Sequence, residues 1–180
     1  MISAENIFIY SYDNKSLIEE ARKKHAVVEG DLVTYVNVYQ SFLQARKSSK
    51  WCQTNFINYN AMLRAVSTRG LLLQHMKRYT SDIKSCGNDL DILRKCIVSS
   101  FFSRTAKLNH DGSYSTVKDD KKMYIHPNSV LSKRAPEWVV YTELVQTSKL
   151  FITDVTVIEP RWLIEMAPSY YQMKGMRAAF

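Results

Sequence analysis

The sequence has little of what covalent or metal chemistry requires. Cysteine occurs three times, at Cys52, Cys86 and Cys96, an odd number at wide spacing with no CxxC. That pattern argues against a disulfide framework or a zinc site and for free thiols in a reducing compartment. The four histidines, His25, His75, His110 and His126, are scattered, so no metal is expected. Only five glycines are present, and neither GxxxxGK followed by Ser or Thr nor an Asp-Glu-Ala-His run occurs. The backbone cradle for phosphates and the Mg2+ ligands that ATP hydrolysis needs are therefore both missing. No apolar stretch approaches the roughly 18 to 20 residues that cross a bilayer. The first residues lack a basic segment ahead of an apolar run, so neither a signal peptide nor a membrane partner is expected. Internal repeats and low-complexity tracts are absent as well.

What is present is ordinary globular material with a basic bias. The apolar fraction is 46%, enough for a core, and 180 residues allow one medium domain or two small ones. The net charge is +8, which favours polyanionic partners. Its placement is more telling. Residues 94 to 134 hold nine Lys or Arg against three Asp, whereas residues 135 to 180 hold four against five Asp or Glu.

The apolar period changes along the chain. Ile7 to Tyr10 reads as a short apolar strand or turn, the trailing edge (residues 1–14) of a domain lying upstream. Ser16 and Glu19 have capping-box spacing and predict a helix to about Val28, stopped by Gly30. Asp31 can cap the next helix, whose apolar face is Leu32, Tyr35, Val36, Tyr39 and Leu43. A polar break follows at Lys47 to Lys50. A third helix starts near Asn58 with Tyr59, Met62, Val66, Leu73 and Met76 on one side, and a fourth carries Leu90, Leu93, Ile97 and Phe101. After residue 105 the segments shorten to strand length. Tyr114 to Val117 and Met123 to Ile125 flank Asp119-Asp120 like a hairpin, where Asp suits a turn. Trp138 to Leu144 and Phe151 to Ile158 are rich in β-branched and aromatic residues. Pro160 opens a terminal helix from Arg161 to Met166. The predicted fold class is α+β in two units: a helical bundle (residues 15–102), then a five-stranded β-barrel of oligonucleotide-binding type with a terminal helix (residues 103–172), then a tail (residues 173–180).

Several motifs then resemble a known family. Trp51-Cys52 with Asn55-Phe56-Ile57 and Tyr59, preceded by Glu29-Gly30-Asp31 and Asn37-Val38-Tyr39, is similar to the helicase-associated domain of DEAH-box RNA helicases. Ile125-His-Pro-Asn-Ser129, Trp138-Val-Val-Tyr141, Gln146-Thr-Ser-Lys149, Trp162-Leu163 and Ala167-Pro168 follow in the family's order. The match covers roughly residues 3 to 172 and is nearest to spliceosome-associated members. It departs at Leu32, at Arg69-Gly-Leu-Leu72 and at Ser100. The resemblance implies a ratchet-like helical domain and an oligonucleotide-binding fold behind two RecA-like motor domains and a winged helix. It further implies an RNA-binding and regulatory module of a nuclear splicing helicase, closing a channel over single-stranded RNA and regulated by a glycine-rich activator protein. ATP and Mg2+ would belong to the motor domains, with no cofactor and no catalytic residue in this chain. A platform for docking an activator or a spliceosomal partner is the alternative.

A single-strand binder needs cations along the backbone track and planes or polar groups at the bases. Lys107, Lys118, Lys121 and Lys122 lie on or beside the first barrel strands, with Tyr114 among them. Thr147-Ser148-Lys149 forms a loop with two hydroxyls and an ammonium suited to phosphate oxygens, and His126 ends a strand. These nine are the candidate RNA-binding residues. Each lysine has an alternative as a solubilising charge, Tyr114 as core and His126 as a strand-end bond. His126 with Ser129 makes a poor nucleophile and base, three residues apart around Pro127. The purified chain is therefore expected to release no phosphate from ATP, with or without RNA. RNA-stimulated release that persists after contaminating ATPases are removed would overturn this.

Overall fold

The computed structural model describes residues 7–9, 15–117 and 120–172. It divides into two compact units, one made of residues up to Ala26 with Thr34–Gly87, the other of Val27–Val33 with residues from Asn88 onward. Among the described residues, no helix is long and apolar enough to cross a membrane.

The first unit is helical. Helix α1 spans Lys15–Lys23, α2 Asp31–Gln44, α3 Ser49–Thr54 and α4 Tyr59–Met76. Two side chains fix the starts of the later helices. Ser48 Oγ accepts from Trp51 N at 3.3 Å, and Asn58 Oδ1 accepts from Ala61 N at 3.1 Å. The first of these caps nucleates α3 inside a stretch whose polarity predicts only a break. The core gathers Ile7, Phe8, Val38, Phe42, Cys52, Ile57 and Met62, and Phe8 bridges Ile57 as an isolated antiparallel pair. Ile7 and Phe8 of the short apolar run are thus packed against these helices. On α4 the predicted apolar stripe is buried only over its first half. Of that stripe Met62 is fully buried while Met76 is exposed, as are Leu71 and Leu72 outside it.

The second unit is a sheet flanked by helices. Helix α5 spans Leu90–Phe101, and Asp89 caps it by accepting from Asp91 N and Ile92 N. The strands are β1 (Thr105–Leu108), β2 (Tyr114–Thr116), β3 (Lys122–Ile125), β4 (Trp138–Val140), β5 (Glu143–Gln146), β6 (Leu150–Thr153) and β7 (Thr156–Val157). Helices α6 (Pro160–Met166) and α7 (Pro168–Gln172) complete the unit. The seven strands hydrogen-bond in the order β5-β6-β3-β2-β1-β4-β7, all antiparallel except β3 with β6.

The expected five strands are therefore seven in an open hydrogen-bonded order, because two of the expected long strands are broken. Trp138 to Leu144 breaks at Tyr141-Thr142. There Tyr141 N donates to Arg104 O at 3.1 Å and Thr142 N donates to Thr153 O at 3.2 Å, so pairing passes from the β1 side to the β6 side. Phe151 to Ile158 breaks at Asp154, whose φ of 51° is left-handed and whose carboxylate accepts from Thr142 Oγ1 at 3.0 Å. One side of the sheet is filled by Ala106, Tyr114, Met123, Leu131, Val139, Tyr141, Ile152 and Val155. On the other, Trp138 and Val140 of β4 pack against Val98, Trp162, Leu163 and Tyr171 of the helices. Helix α5, expected with the preceding helices, thus packs within the sheet unit.

Residues 27–33 belong to this unit for a specific reason. Helix α1 ends at Lys23, short of the predicted Val28, because the next segment pairs with β7. Val157 N donates to Glu29 O at 2.9 Å, Gly30 bridges Thr156, and Asp31 N donates to Val155 O at 2.7 Å. Asp31 is only 3% exposed. Its carboxylate does not cap its own helix, as predicted, but accepts from Ser129 Oγ at 2.7 Å, Val130 N at 2.8 Å and Val155 N at 2.8 Å. Burial pushes this carboxyl above its ordinary range while the three donors pull it back. The Ser129 hydroxyl is thereby committed to Asp31, which removes it as a nucleophile paired with His126.

Gly30 has φ of 121°, and a Cβ there would overlap Val155 O and lie 2.8 Å from Thr156 Cα. Gly70 sits in α4 with nothing within 4 Å of its built Cβ. Gly30→Ala is expected to destabilise by more than about 2 kcal/mol, whereas Gly70→Ala should stabilise by about 0.5 to 1 kcal/mol. Urea titration of both variants checks the opposite signs. Asp31→Asn would turn an NH2 towards one of three fixed donors and should cost about 2 to 4 kcal/mol in the same assay. A loss below about 1 kcal/mol would mean the three donors find other partners.

Candidate nucleic-acid interface

Strand alternation and register assemble one face of the sheet. Side chains alternate sides along a strand, and directly paired residues share a side. Lys107 pairs with Trp138 on one flank and with Ser115 on the other, and Ser115 pairs with Lys122. Trp138, Lys107, Ser115 and Lys122 thus form a row across β4, β1, β2 and β3 on the face opposite the Ala106–Met123 core. Two residues along β3 from Lys122, Tyr124 shares that face and pairs with Phe151 of β6. His126 follows two residues later, 5.5 Å from the Phe151 ring in an edge-on contact. The helices cover this face at β4. Beyond Trp138 it carries two lysines, a hydroxyl and three partly exposed aromatic rings.

The row's charges are held in place. Lys107 Nζ lies 5.0 Å from the Trp138 ring centroid and 3.9 Å from Glu137 Oε1. Lys122 pairs with the Asp111 carboxylate in the turn between β1 and β2. Asp111 also accepts from Ser113 N at 3.0 Å and from Ser113 Oγ. The Lys122 ammonium and the Ser113 donors hold the Asp111 carboxyl well below the usual carboxylate range, and Asp111 raises Lys122 in return. Asn109 Nδ2 donates to Ser113 Oγ at 3.0 Å and Ser115 Oγ at 2.7 Å, which ties the turn to the row.

The other predicted site residues fall in different places. Thr147, Ser148 and Lys149 form the exposed turn between β5 and β6, closed by Thr147 N donating to Lys149 O at 2.9 Å. From it Lys149 Nζ reaches over the Tyr124 ring, 4.5 Å from the centroid, so the turn and β3 belong to one patch. His126 Nδ1 accepts from Asn128 N at 3.1 Å. Lys121 is exposed beside the row, and Lys118 lies outside the described residues, as does Asp119. Tyr114 has to be corrected. It is 2% exposed, its hydroxyl donates to Pro136 O at 2.7 Å, and burial pushes its pKa up to about 12. It points into the core because it sits one residue out of phase with Ser115, and it has no ring face to offer a base.

Two residues of the patch, Tyr124 and Phe151, escape a reading based on charge runs. The signal for them is strand parity: Tyr124 follows Lys122 by two, and Phe151 flanks the buried Ile152. The patch therefore combines cations that can meet phosphate oxygens with aromatic planes that can meet bases, the two parts a single-stranded nucleic acid presents.

Comparison with known proteins agrees with the sheet unit. Residues 93–170 match the family described as oligonucleotide/oligosaccharide-binding (OB)-fold. The chain is 42% identical over 173 residues to a human protein named probable ATP-dependent RNA helicase DHX35, covering 96% of this chain and 25% of that protein. It is 39% identical over 177 residues to the Caenorhabditis elegans DHX35 homolog, covering 96% and 24%. With the Arabidopsis thaliana pre-mRNA-splicing factor ATP-dependent RNA helicase DEAH10 it shares 37% over 189 residues, covering 96% and 26%. The chain spans about a quarter of the length of these relatives. Sustained over nearly its whole length, and with the OB-fold match in its sheet unit, this similarity shows that the chain belongs to the DEAH-box helicase family and corresponds to its C-terminal, OB-fold region.

Proposed function

We propose that this chain is the RNA-binding and regulatory module of an ATP-dependent DEAH-box RNA helicase and acts on single-stranded RNA. The observation that carries the reading is the row Lys107–Ser115–Lys122 lying on one face with Tyr124, His126 and Phe151. The sheet fits a five-stranded barrel if β4 and β5 are one strand interrupted at Tyr141-Thr142. The circuit then runs β1, β2, β3, β6 and the joined β5–β4 strand back to β1. Folds of this kind bind oligonucleotides on the second and third strands and on the loops after the first and fourth. Here those elements carry Ser115, Lys122 and Tyr124, the Asp111 turn, and Thr147 to Lys149. Motor and winged-helix domains of the same protein would supply ATP and Mg2+ sites, and this module would close the RNA channel. A role in pre-mRNA splicing, and hence in the nucleus, draws on the name of the plant relative. A glycine-rich activator docking on this region is the regulatory partner we infer from the family resemblance.

Phosphate contacts make affinity fall with salt, by a log-log slope of roughly 0.7 per contact on a single strand. Changing Lys107 and Lys122 together to Ala is expected to reduce the magnitude of that slope by about 1.4, measured with fluorescent single-stranded RNA between ~50 and 200 mM salt. Lys23 and Lys24, exposed near the end of α1, make a control with the same charge change. It should leave the slope nearly unaltered, since on this reading the phosphate contacts come from the row and not from α1. Equal losses in the two variants would reduce the interface to bulk basicity. Absence of binding by the wild type at low salt would favour the docking-platform reading instead.

A further inference from the structure

We propose that Phe151, Tyr124 and His126 form a subsite for one unpaired nucleobase, with the Lys149 ammonium as its displaceable cover. Given the RNA-binding reading on which this rests, the lysine row takes phosphates and this patch takes the base. The three rings are grouped by the parallel pairing of β3 and β6. Tyr124 and Phe151 are cross-strand partners with centroids 6.4 Å apart and planes inclined by 54°, and His126 stands edge-on to Phe151 at 76°. The residues alternating with them, Met123, Ile125 and Ile152, pack into the core on the opposite side. The rings therefore remain only partly covered on a face whose helical packing centres on Trp138 and Val140.

The polar groups around the rings select a base over an apolar side chain. Asn128 N donates to His126 Nδ1 at 3.1 Å, so the neutral imidazole carries its proton on Nε2. A hydrogen-bond donor is thus carried by the ring next to Phe151, with centroids 5.5 Å apart, and the edge of a stacked base offers acceptors to such a donor. The Lys149 ammonium lies 4.5 Å from the Tyr124 centroid, over the ring a base would use. An exposed cation–π contact is weaker than a base–aromatic stack, so a base displaces the ammonium. The displaced cation stays within reach of the phosphate attached to that base, because the Thr147–Lys149 turn anchors its backbone. The surrounding positive charge, Lys121 and Lys122 on the same hairpin, matches a nucleic-acid strand.

The test uses the whole chain and two probes, a single-stranded RNA and an abasic ribose-phosphate chain of equal length. Wild type should bind the RNA roughly ten-fold more tightly than the abasic chain, the scale of one base–aromatic stack. Phe151→Leu keeps apolar packing and removes the ring face. It should weaken RNA binding by about the same factor, leave abasic binding unchanged, and leave the salt slope of both intact. Phe151→Trp should retain RNA affinity. Lys149→Ala should lower the slope by about 0.7 with both probes. Equal binding of the two probes by wild type, with a steep slope, would leave the RNA-binding reading standing and overturn the base subsite. So would Phe151→Leu weakening both probes alike. No binding of either probe by wild type would overturn both readings.

Discussion

The Asp31 carboxylate is the interaction on which the sheet unit's geometry most depends. It draws a seven-residue segment, running into the first turn of α2, into a unit whose remaining chain begins more than fifty residues later. Three donors converge on it, from Ser129, Val130 and Val155, and Gly30 beside it lets two backbones approach at a distance no side chain tolerates. A buried carboxylate is costly unless its oxygens are satisfied, so these donors and Asp31 constrain one another. Ser129 and Val130 follow β3 at the His126 end, and Val155 lies between β6 and β7. The clasp therefore sits at the ends of the two strands that carry Tyr124, His126 and Phe151.

The candidate interface follows from that frame. Core residues claim one parity of each strand, which leaves Lys107, Ser115, Lys122, Tyr124 and Phe151 on the other. Helices α5 to α7 claim the same parity at β4, where Trp138 and Val140 are buried. What is left is a strip bounded by Trp138 at one side and by the Thr147–Lys149 turn at the other. Its lysines are paired with Glu137 and Asp111, so under the proposed function a phosphate would have to exchange with carboxylates already in place. That competition would limit how much affinity the charges supply and would leave discrimination to the aromatic end.

Much of the order of elements was legible from local pattern. The periods around Leu32 to Leu43, Tyr59 to Val66 and Leu90 to Phe101 predict helices that form, and the Tyr114–Ile125 hairpin is antiparallel as expected. The failures have local causes too. Helix α3 starts on a Ser48 cap hidden in a polar stretch, and two expected long strands each change partners midway, at Tyr141-Thr142 and at Asp154. Of the nine proposed contact residues, Lys107, Lys122, His126 and Lys149 are brought into one patch. Tyr114 is drawn into the core because its parity is that of Leu108 and Met123.

The sequence by itself determined the succession of helices and strands, the basic excess between residues 94 and 134, and the motif order that identifies the family. These depend on interactions between residues a few positions apart, or on composition, which a linear reading can follow. Tertiary structure alone decided the partners of Asp31, 98 to 124 residues away, the attachment of α5 to the sheet unit, and the meeting of Lys149 with Tyr124. Register across non-adjacent strands selects these contacts, and no local period records which strand will lie beside which.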